Sequence, residues 1–150
     1  MLIREMRSND LDLVIKFEIE YRNLDKAIII PFVEERYREK FTEKKIEDYV
    51  NNKTLLYIEN DRIIGLITLL FQVSLANFKK IGYIDWITVL KPYRNKGIAK
   101  QLLLEAESYF RYEQCELYYL FVDKTEVAKG FYDNIKLKQE DIIRGYKILD

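Results

Sequence analysis

The stretch IGYIDWITVLKPYRNKGIAKQLLL, residues 81–104, decides how the rest of the chain is interpreted. Its first half, from Ile81 to Leu90, is rich in β-branched and aromatic residues, which predicts a largely buried strand. A helix is predicted next, from near Gly97 to about Tyr112, because apolar residues then recur every three or four positions. Those positions are Ile98, Leu102, Leu103, Ala106 and Phe110.

The turn between this strand and this helix is suited to binding an anion. The first turn of an α-helix exposes backbone N–H groups without partners, and the helix dipole places partial positive charge there. Because Gly97 has no Cβ, a bulky anion can approach the main chain, and three basic side chains lie around it in the sequence: Arg94, Lys96 and Lys100. The segment predicts a phosphate or pyrophosphate site; the alternative is an ordinary strand-to-helix turn with solvated basic residues.

The rest of the chain predicts a mixed α/β domain with the element order β, α, α, β, β, β, α, β, α, β. The strand–helix–strand unit at 83–122 implies a parallel pair of strands. We find no repeat and no low-complexity linker, so we expect one domain over residues 1–150. The other predicted strands are 2–6, 54–60, 62–73, 115–122 and 141–149; the other predicted helices begin at Leu11, with its apolar face through Val14, Ile15 and Ile19, near Phe32, at Thr42 and at Glu126.

Composition excludes several classes of chemistry. Lys plus Arg equals Asp plus Glu at 25 each, so we expect neither a nucleic-acid partner nor a membrane partner. There is no histidine, and Cys115 is the only cysteine. A Cys/His zinc site, an internal disulfide and a Ser-His-Asp triad are therefore excluded, and we expect no metal.

The sequence also predicts a location. The start MLIREMRSND lacks the apolar core of a signal peptide, and the apolar run from Ile63 is too short to span a bilayer. We expect a cytoplasmic protein.

Three segments together resemble one known family. ITVLKPYRNKGIAKQLLLEAE, from Ile87, is similar to the acyl-CoA signature of the GNAT N-acetyltransferases, in which a valine ends the central strand and Arg/Gln-x-x-Gly-x-Gly/Ala opens the next helix. IREMRSNDLDLVIKF resembles the opening strand and helix of that family, and EVAKGFYDNIKLK resembles its Ala-x-x-Phe-Tyr segment. The resemblance implies a mixed sheet flanked by helices, with two splayed parallel strands forming an acyl-CoA cleft.

The resemblance implies acetyl-CoA as co-substrate and a set of residues that hold it. The main chain at Ile87, Thr88 and Val89 would pair with the pantetheine arm. The asparagine that often contacts the pantetheine in the family is replaced here by Thr125. The pyrophosphate would bind the backbone N–H groups of Arg94, Asn95, Lys96, Gly97, Ile98 and Ala99, with the Lys100 side chain adding positive charge.

Two residues match catalytic positions of the family. Tyr132 matches the tyrosine that protonates the departing CoA thiolate; a phenol with a pKa of about 10 suits this role. Asp85 stands where many relatives have a glutamate that takes a proton from the amine, directly or through water. Burial beside Tyr83 and Trp86 would raise the pKa of Asp85 and make it a better base. Alternatively, Asp85 binds a cationic substrate, or it only accepts a hydrogen bond from a backbone N–H. The alternative for Tyr132 is a purely structural role, in which its ring packs in the core or at its rim.

The sequence departs from the family at the end of the Phe-Tyr segment. Where relatives often have Gly and Phe, this chain has Lys136 and Leu137. The change alters the turn into the last strand and so affects the acceptor pocket, which we expect residues 24–52 and 71–80 to shape.

Two functions remain open from the sequence. The first is direct transfer of an acetyl group from acetyl-CoA to a primary amine of a small molecule or peptide, in a ternary complex. The second is a non-catalytic acyl-CoA-binding or protein-interaction module on the same fold. The acceptor is not identified, and a homodimer is one expectation because it is common among relatives.

Overall fold

The computed structural model describes residues 1–24, 32–121, 130–133, 135, 137, 138 and 140. The chain forms two compact units, Met1–Leu120 and Phe121–Asp150. The single-domain organisation over 1–150 stays a prediction. The first unit contains strands β1 (Leu2–Glu5), β2 (Asn52–Glu59), β3 (Arg62–Ser74), β4 (Lys79–Val89) and β5 (Leu117–Leu120), and helices α1 (Leu11–Leu24), α2 (Glu34–Glu43) and α3 (Ile98–Tyr112).

The five strands form one mixed sheet in the order β1-β2-β3-β4-β5. The first four pair antiparallel with their neighbours, and β5 is parallel to β4. Asn60 and Asp61, at φ 50° and 56°, make the tight β2–β3 turn, since both central residues of such a turn are left-handed. The mixed α/β class, the hairpin and the parallel pair predicted from the sequence are confirmed.

A β-bulge interrupts β4 at Asp85. Thr68 on β3 pairs with Trp86, whereas the next residue, Leu69, pairs with Ile84, so Asp85 has no partner in the β3 register. A bulge places one extra residue in a strand and redirects its side chains. Asp85 and Trp86, although consecutive, consequently both line the same cleft.

The parallel pairing of β4 with β5 stops well before β4 ends. It extends from Ile81–Leu117 to Ile84–Leu120. Residues 85–89 of β4 therefore have no β5 partner within the described residues. Among the described residues, no strand pairs with that edge of β4; the splayed pair itself stays a prediction.

The helices α1 and α3 lie on opposite faces of the sheet. Gly65 on β3 faces α3, because a Cβ built on it would come within 3.3 Å of both Ile98 and Leu102. The next residue, Leu66, lines the cleft together with Val14 of α1. Successive side chains of a strand point to opposite faces, so the two helices are separated by the sheet.

The helix α3 is the best-predicted element. All five apolar positions that predicted it are buried, and Phe110 packs so closely over β4 that a Cβ on Gly82 would lie 2.4 Å from its ring. Phe71 contacts the Phe110 ring edge-on at a centroid distance of 5.7 Å, and Tyr118 stacks on it at 5.1 Å.

Two local predictions on the α1–α2 side are wrong. Thr42 and Glu43 end α2 rather than beginning another helix, and only a 3-10 turn, Ile46–Asp48, follows. Ile19 is 42% exposed; the buried side of α1 instead includes Phe17, Glu18 and Tyr21. Apolar spacing alone did not show that a carboxylate occupies the buried face. The helix near Phe32 is confirmed as α2.

The second unit is described at residues 121, 130–133, 135, 137, 138 and 140. Residues 130–133 are helical, within the segment predicted as a helix from Glu126. Tyr132 is buried, and its ring lies 5.0 Å from that of Phe131. The predicted strand 141–149 lies outside the described residues.

Candidate active site

The N-terminus of α3 exposes a series of backbone donors. The helix begins at Ile98 with Gly97 as its cap, and the first helical bond runs from Gln101 N–H to the Gly97 carbonyl at 3.0 Å. The N–H groups from Gly97 to Lys100 therefore precede the first helical bond. The sequence predicted the N–H groups from Arg94 to Ala99 for an anion; of these, Arg94 N–H instead donates to the Lys91 carbonyl at 3.3 Å.

Gly97 is required here by its backbone conformation. Its φ of 79° is in the left-handed region, which residues with a Cβ rarely adopt. No atom lies within 4 Å of a Cβ built on it, so the space in front of the main chain is open. Asn95, at φ 62°, is also left-handed, so the chain turns sharply twice before the helix.

The three basic side chains around this turn make different contacts. Arg94 turns back, and its Nε donates a hydrogen bond of 3.0 Å to the Val89 carbonyl at the end of β4. Lys96 and Lys100 are exposed, with the Lys96 ammonium 5.1 Å from the centre of the Tyr93 ring. Arg94 consequently ties the turn to β4, while the two lysines supply mobile positive charge.

The end of β4 supplies the other main-chain candidates. Ile87 and Val89 pair with Ile67 and Gly65 on the α3 face, and Thr88, which is buried, pairs with Leu66. The strand then ends as Leu90 N–H donates to the Ile64 carbonyl at 2.9 Å. The three predicted pantetheine residues thus lie on the part of β4 that has no β5 partner among the described residues.

A cleft of about 340 Å³ lies on the face of the sheet opposite α3. It is bounded by α1, α2 and the middle of the sheet. Two threonine hydroxyls, Thr54 and Thr68, face each other across its floor at 3.3 Å. The remaining lining residues are Met6, Val14, Glu18, Arg22, Tyr37, Leu66, Asp85 and Trp86.

Asp85 lines this cleft but is not buried. Burial beside Tyr83 and Trp86, one of the alternatives for Asp85, is not observed: Asp85 is exposed at the bulge, next to Trp86, which is 38% exposed. No cation within the described ranges forms an ion pair with it. Asp85 therefore presents a solvent-accessible carboxylate.

Glu18 and Arg22 of α1 are cleft residues that the sequence did not identify. They form a close ion pair at i and i+4, and Arg22 also donates to the Glu18 carbonyl at 3.3 Å. Tyr37 of α2 is half-buried near them, and this partial burial, with the charge of Glu18, raises its pKa. In the sequence, the one indication that Glu18 belongs to a site is its position next to the apolar residues of α1.

Three other predicted residues occupy separate places. Tyr132 is buried in the second unit, and burial raises the pKa of its phenol. Thr125 lies outside the described residues. Cys115 is half-buried just before β5, and burial raises the pKa of its thiol.

The sequence and structural comparisons define the class of protein. The family model for the acetyltransferase (GNAT) family matches residues 21–135. The chain belongs to the GNAT acetyltransferase family, whose members transfer acetyl groups from acetyl-CoA. It is an acyl-CoA-dependent acetyltransferase.

Solved structures confirm the fold. An aminoglycoside acetyltransferase from an uncultured soil metagenomic sample, in complex with sisomicin, matches 99% of this chain and 96% of its own, with a TM-score of 0.80 and 19% identity. The ribosomal-protein-alanine N-acetyltransferase of Brucella melitensis biovar Abortus 2308 matches 99% of this chain and 100% of its own, with a TM-score of 0.74 and 15% identity. Among curated protein sequences none matches.

The described residues contain no helix that is both long and apolar enough to cross a membrane. Within the same residues, no cluster of three or more Cys, Asp or Glu is placed to hold a metal ion.

Proposed function

We propose that this chain transfers the acetyl group of acetyl-CoA to a primary amine of a small molecule or peptide, by direct attack in a ternary complex. The observation that carries this proposal is the position of two features at the end of β4. The open N-terminus of α3 follows the strand, and the bulge on the strand directs Asp85 into a cleft on the opposite face. One site suits an anionic carrier and the other suits an amine.

The α3 side fits acetyl-CoA. The open space in front of Gly97 allows a pyrophosphate to approach the N–H groups from Gly97 to Lys100, and the exposed Lys96 and Lys100 can approach the same charge. The hydrogen bond from Arg94 to the Val89 carbonyl fixes the turn relative to β4. In this proposal the predicted donors from Asn95 to Ala99, together with Lys100 N–H, bind the pyrophosphate, whereas Arg94 N–H is used in the preceding turn.

The end of β4 serves the acyl arm. Residues 87–89 offer main-chain groups along an edge that lacks a β5 partner within the described residues, so an extended pantetheine can pair there as an added strand. A nearby N–H, that of Val89 or a neighbour, would stabilise the negative charge that develops on the thioester oxygen. Thr125 is proposed to contact the pantetheine in place of asparagine.

Asp85 is proposed to attract the ammonium and accept its proton, directly or through a water molecule. The neutral amine nitrogen then forms a bond to the thioester carbon, and the carbon–sulfur bond breaks. The buried Tyr132 phenol stays protonated at neutral pH, because burial raises its pKa, and donates a proton to the departing thiolate. The attacking nitrogen then gives up its second proton, which restores the Tyr132 phenol, so the products are an amide, free CoA thiol and the one proton that Asp85 releases.

A covalent route through Cys115 is disfavoured by its position. Glu116 N–H donates to the Lys80 carbonyl, which places Cys115 at the start of β4 rather than at its end. Val89 lies nine positions along the strand from Lys80, which is roughly 30 Å. Burial also raises the pKa of the thiol, so little thiolate forms at neutral pH.

Initial-rate kinetics test this mechanism. Free CoA thiol is measured while acetyl-CoA and an accepted amine are varied together. We expect intersecting double-reciprocal lines, as a ternary complex requires, and a Cys115→Ala variant with unchanged kcat. Parallel lines, together with inactivity of Cys115→Ala, would show a covalent acyl-enzyme instead.

A further inference from the structure

Among the described residues that line it, the cleft opposite α3 contains one uncompensated charge. Three charged side chains line it, but the charges of Glu18 and Arg22 cancel because the two form an ion pair. The Arg22 guanidinium also lies 5.2 Å from the centre of the Phe32 ring, which holds it toward the α2 side. Asp85 alone, among the described cleft residues, carries a charge without an ion-pair partner.

Apart from the hydroxyls of Thr54 and Thr68, the rest of the described cleft lining is mainly apolar and aromatic. Trp86 is partly exposed beside Asp85, and Tyr37 and Leu66 also line the cleft. Burial raises the pKa of Tyr37, so its phenol is neutral at physiological pH. A second positive charge on a ligand would face this apolar lining or the neutral Glu18–Arg22 pair, and it would lose hydration without gaining a carboxylate partner.

We infer that the acceptor is a primary amine that carries a single positive charge on an apolar body, not a polycation such as a polyamine or an aminoglycoside. This inference rests on the proposed function, because it assigns the acceptor to that site. Asp85 would bind the ammonium, and Trp86 and Tyr37 would contact the apolar body. A volume of about 340 Å³ is near the lower limit for ligand pockets, which also favours a small group.

Two sources can supply this chemistry, and the same assay distinguishes them. One is a free small amine, represented by 2-phenylethylamine; the other is the N-terminus of a peptide, represented by a short peptide that begins with phenylalanine. Tighter binding of the free amine assigns the site to small molecules, and tighter binding of the peptide assigns it to polypeptide N-termini.

Trp86 provides a direct measurement, because it is the only tryptophan in the chain. The full-length protein is titrated without acetyl-CoA while Trp86 fluorescence is followed. We expect a saturable change with 2-phenylethylamine or the peptide. Spermidine and the uncharged N-acetyl-2-phenylethylamine should bind at least tenfold more weakly.

Variants test the role of the carboxylate. Asp85→Asn should weaken binding of the amine at least tenfold and leave the neutral amide unchanged, whereas Asp85→Glu should retain amine binding. Asp61→Asn, in the exposed β2–β3 turn, is the matched control and should bind as the wild type does. Circular dichroism verifies that each variant is folded.

Equal or tighter binding of spermidine would overturn the inference, as would an Asp85→Asn variant with unchanged affinity or a protein that binds neither single-charge probe. Failure of the proposed function is a separate result. It would appear as saturable binding of the amine, with the predicted selectivity, but no release of CoA thiol when acetyl-CoA is added.

Discussion

Gly97 shows how one residue sets the backbone conformation of a proposed binding site. Its φ of 79° turns the chain from β4 into α3, and the absence of a side chain leaves the helix N-terminus open. The sequence predicted a glycine needed for close approach of an anion. The structure adds the backbone conformation, which a pattern of residue types does not reveal.

Gly97→Ala should weaken acetyl-CoA binding by about tenfold, because a Cβ would enter the open space and left-handed alanine costs about 1–2 kcal/mol. Isothermal titration calorimetry measures the affinity. Gln114→Val is the control: it strains another left-handed residue, φ 59°, at the far end of α3, and should lower stability without changing acetyl-CoA affinity. Unchanged acetyl-CoA affinity in Gly97→Ala would remove this turn from the binding site.

Tyr132→Phe should lower kcat by about 100-fold while acetyl-CoA affinity stays nearly intact, because only the proton donor is lost. Tyr112→Phe, at a residue that is 82% exposed, is the matched control and should retain full kcat. Steady-state thiol release and calorimetry together measure both quantities. Full turnover in Tyr132→Phe would exclude a role for its hydroxyl.

At the scale of elements, sequence periodicity predicted α3 and the hairpin well, because both depend on local patterns. The bulge at Asp85 was missed, because it depends on how β3 and β4 align and not on either strand alone. The 3-10 turn Ile46–Asp48 was predicted as a helix for a related reason. Its apolar spacing is helical, but its main chain is constrained by contacts with Ser8.

Those contacts tie the start of α1 to the segment that follows α2. Ser8 N–H donates to Glu47 at 3.0 Å, and Ile46 N–H donates to the Ser8 hydroxyl at 2.9 Å. Hydrogen bonds from Ser8 hold the pKa of Glu47 at about 2.

Gly82→Ala should destabilise the protein by about 1–3 kcal/mol, since the added methyl meets the Phe110 ring at 2.4 Å. Chemical denaturation measures the free energy of unfolding. Gly130→Ala, where a Cβ meets no atom within 4 Å, should cost little or nothing. In a double-mutant cycle, Phe110→Leu should relieve part of the Gly82→Ala cost; strict additivity of the two changes would contradict the packing described.

Asp10 contributes stability that depends on pH. Arg4 donates two 2.7 Å hydrogen bonds to it and lowers its pKa. Because the pKa in the folded state is depressed, this stability is present above the unfolded value of about 3.9 and is lost as pH falls through the folded pKa.

Asp10→Asn should therefore cost about 1–3 kcal/mol at pH 7, and the difference from wild type should shrink below about pH 4. Denaturation at several pH values measures it, with Asp12→Asn, at an exposed side chain, as control. A difference that is independent of pH down to pH 3 would show that the ion pair is not its source.

At the scale of the whole molecule, the proposed mechanism uses both faces of the sheet: the pyrophosphate binds at the N-terminus of α3, the acyl arm runs along the edge of β4, and the acceptor occupies the cleft on the α1–α2 face. The carrier site could be proposed from the sequence because its features are consecutive, from Ile87 to Lys100. The acceptor side was not, because Glu18, Tyr37 and Asp85 come from three distant segments that only the fold brings together.

Transfer of a labelled acetyl group tests directly whether this chain acetylates a primary amine. The protein is incubated with acetyl-CoA labelled in the acetyl group and with a panel of single-charge amines, N-terminal peptides and polycations, and products are identified by mass spectrometry. The account predicts that label appears as an N-acetyl amide in amounts equal to the free CoA thiol released. Binding of acetyl-CoA without transfer of label to any amine in the panel would contradict it and would support a non-catalytic acyl-CoA-binding module.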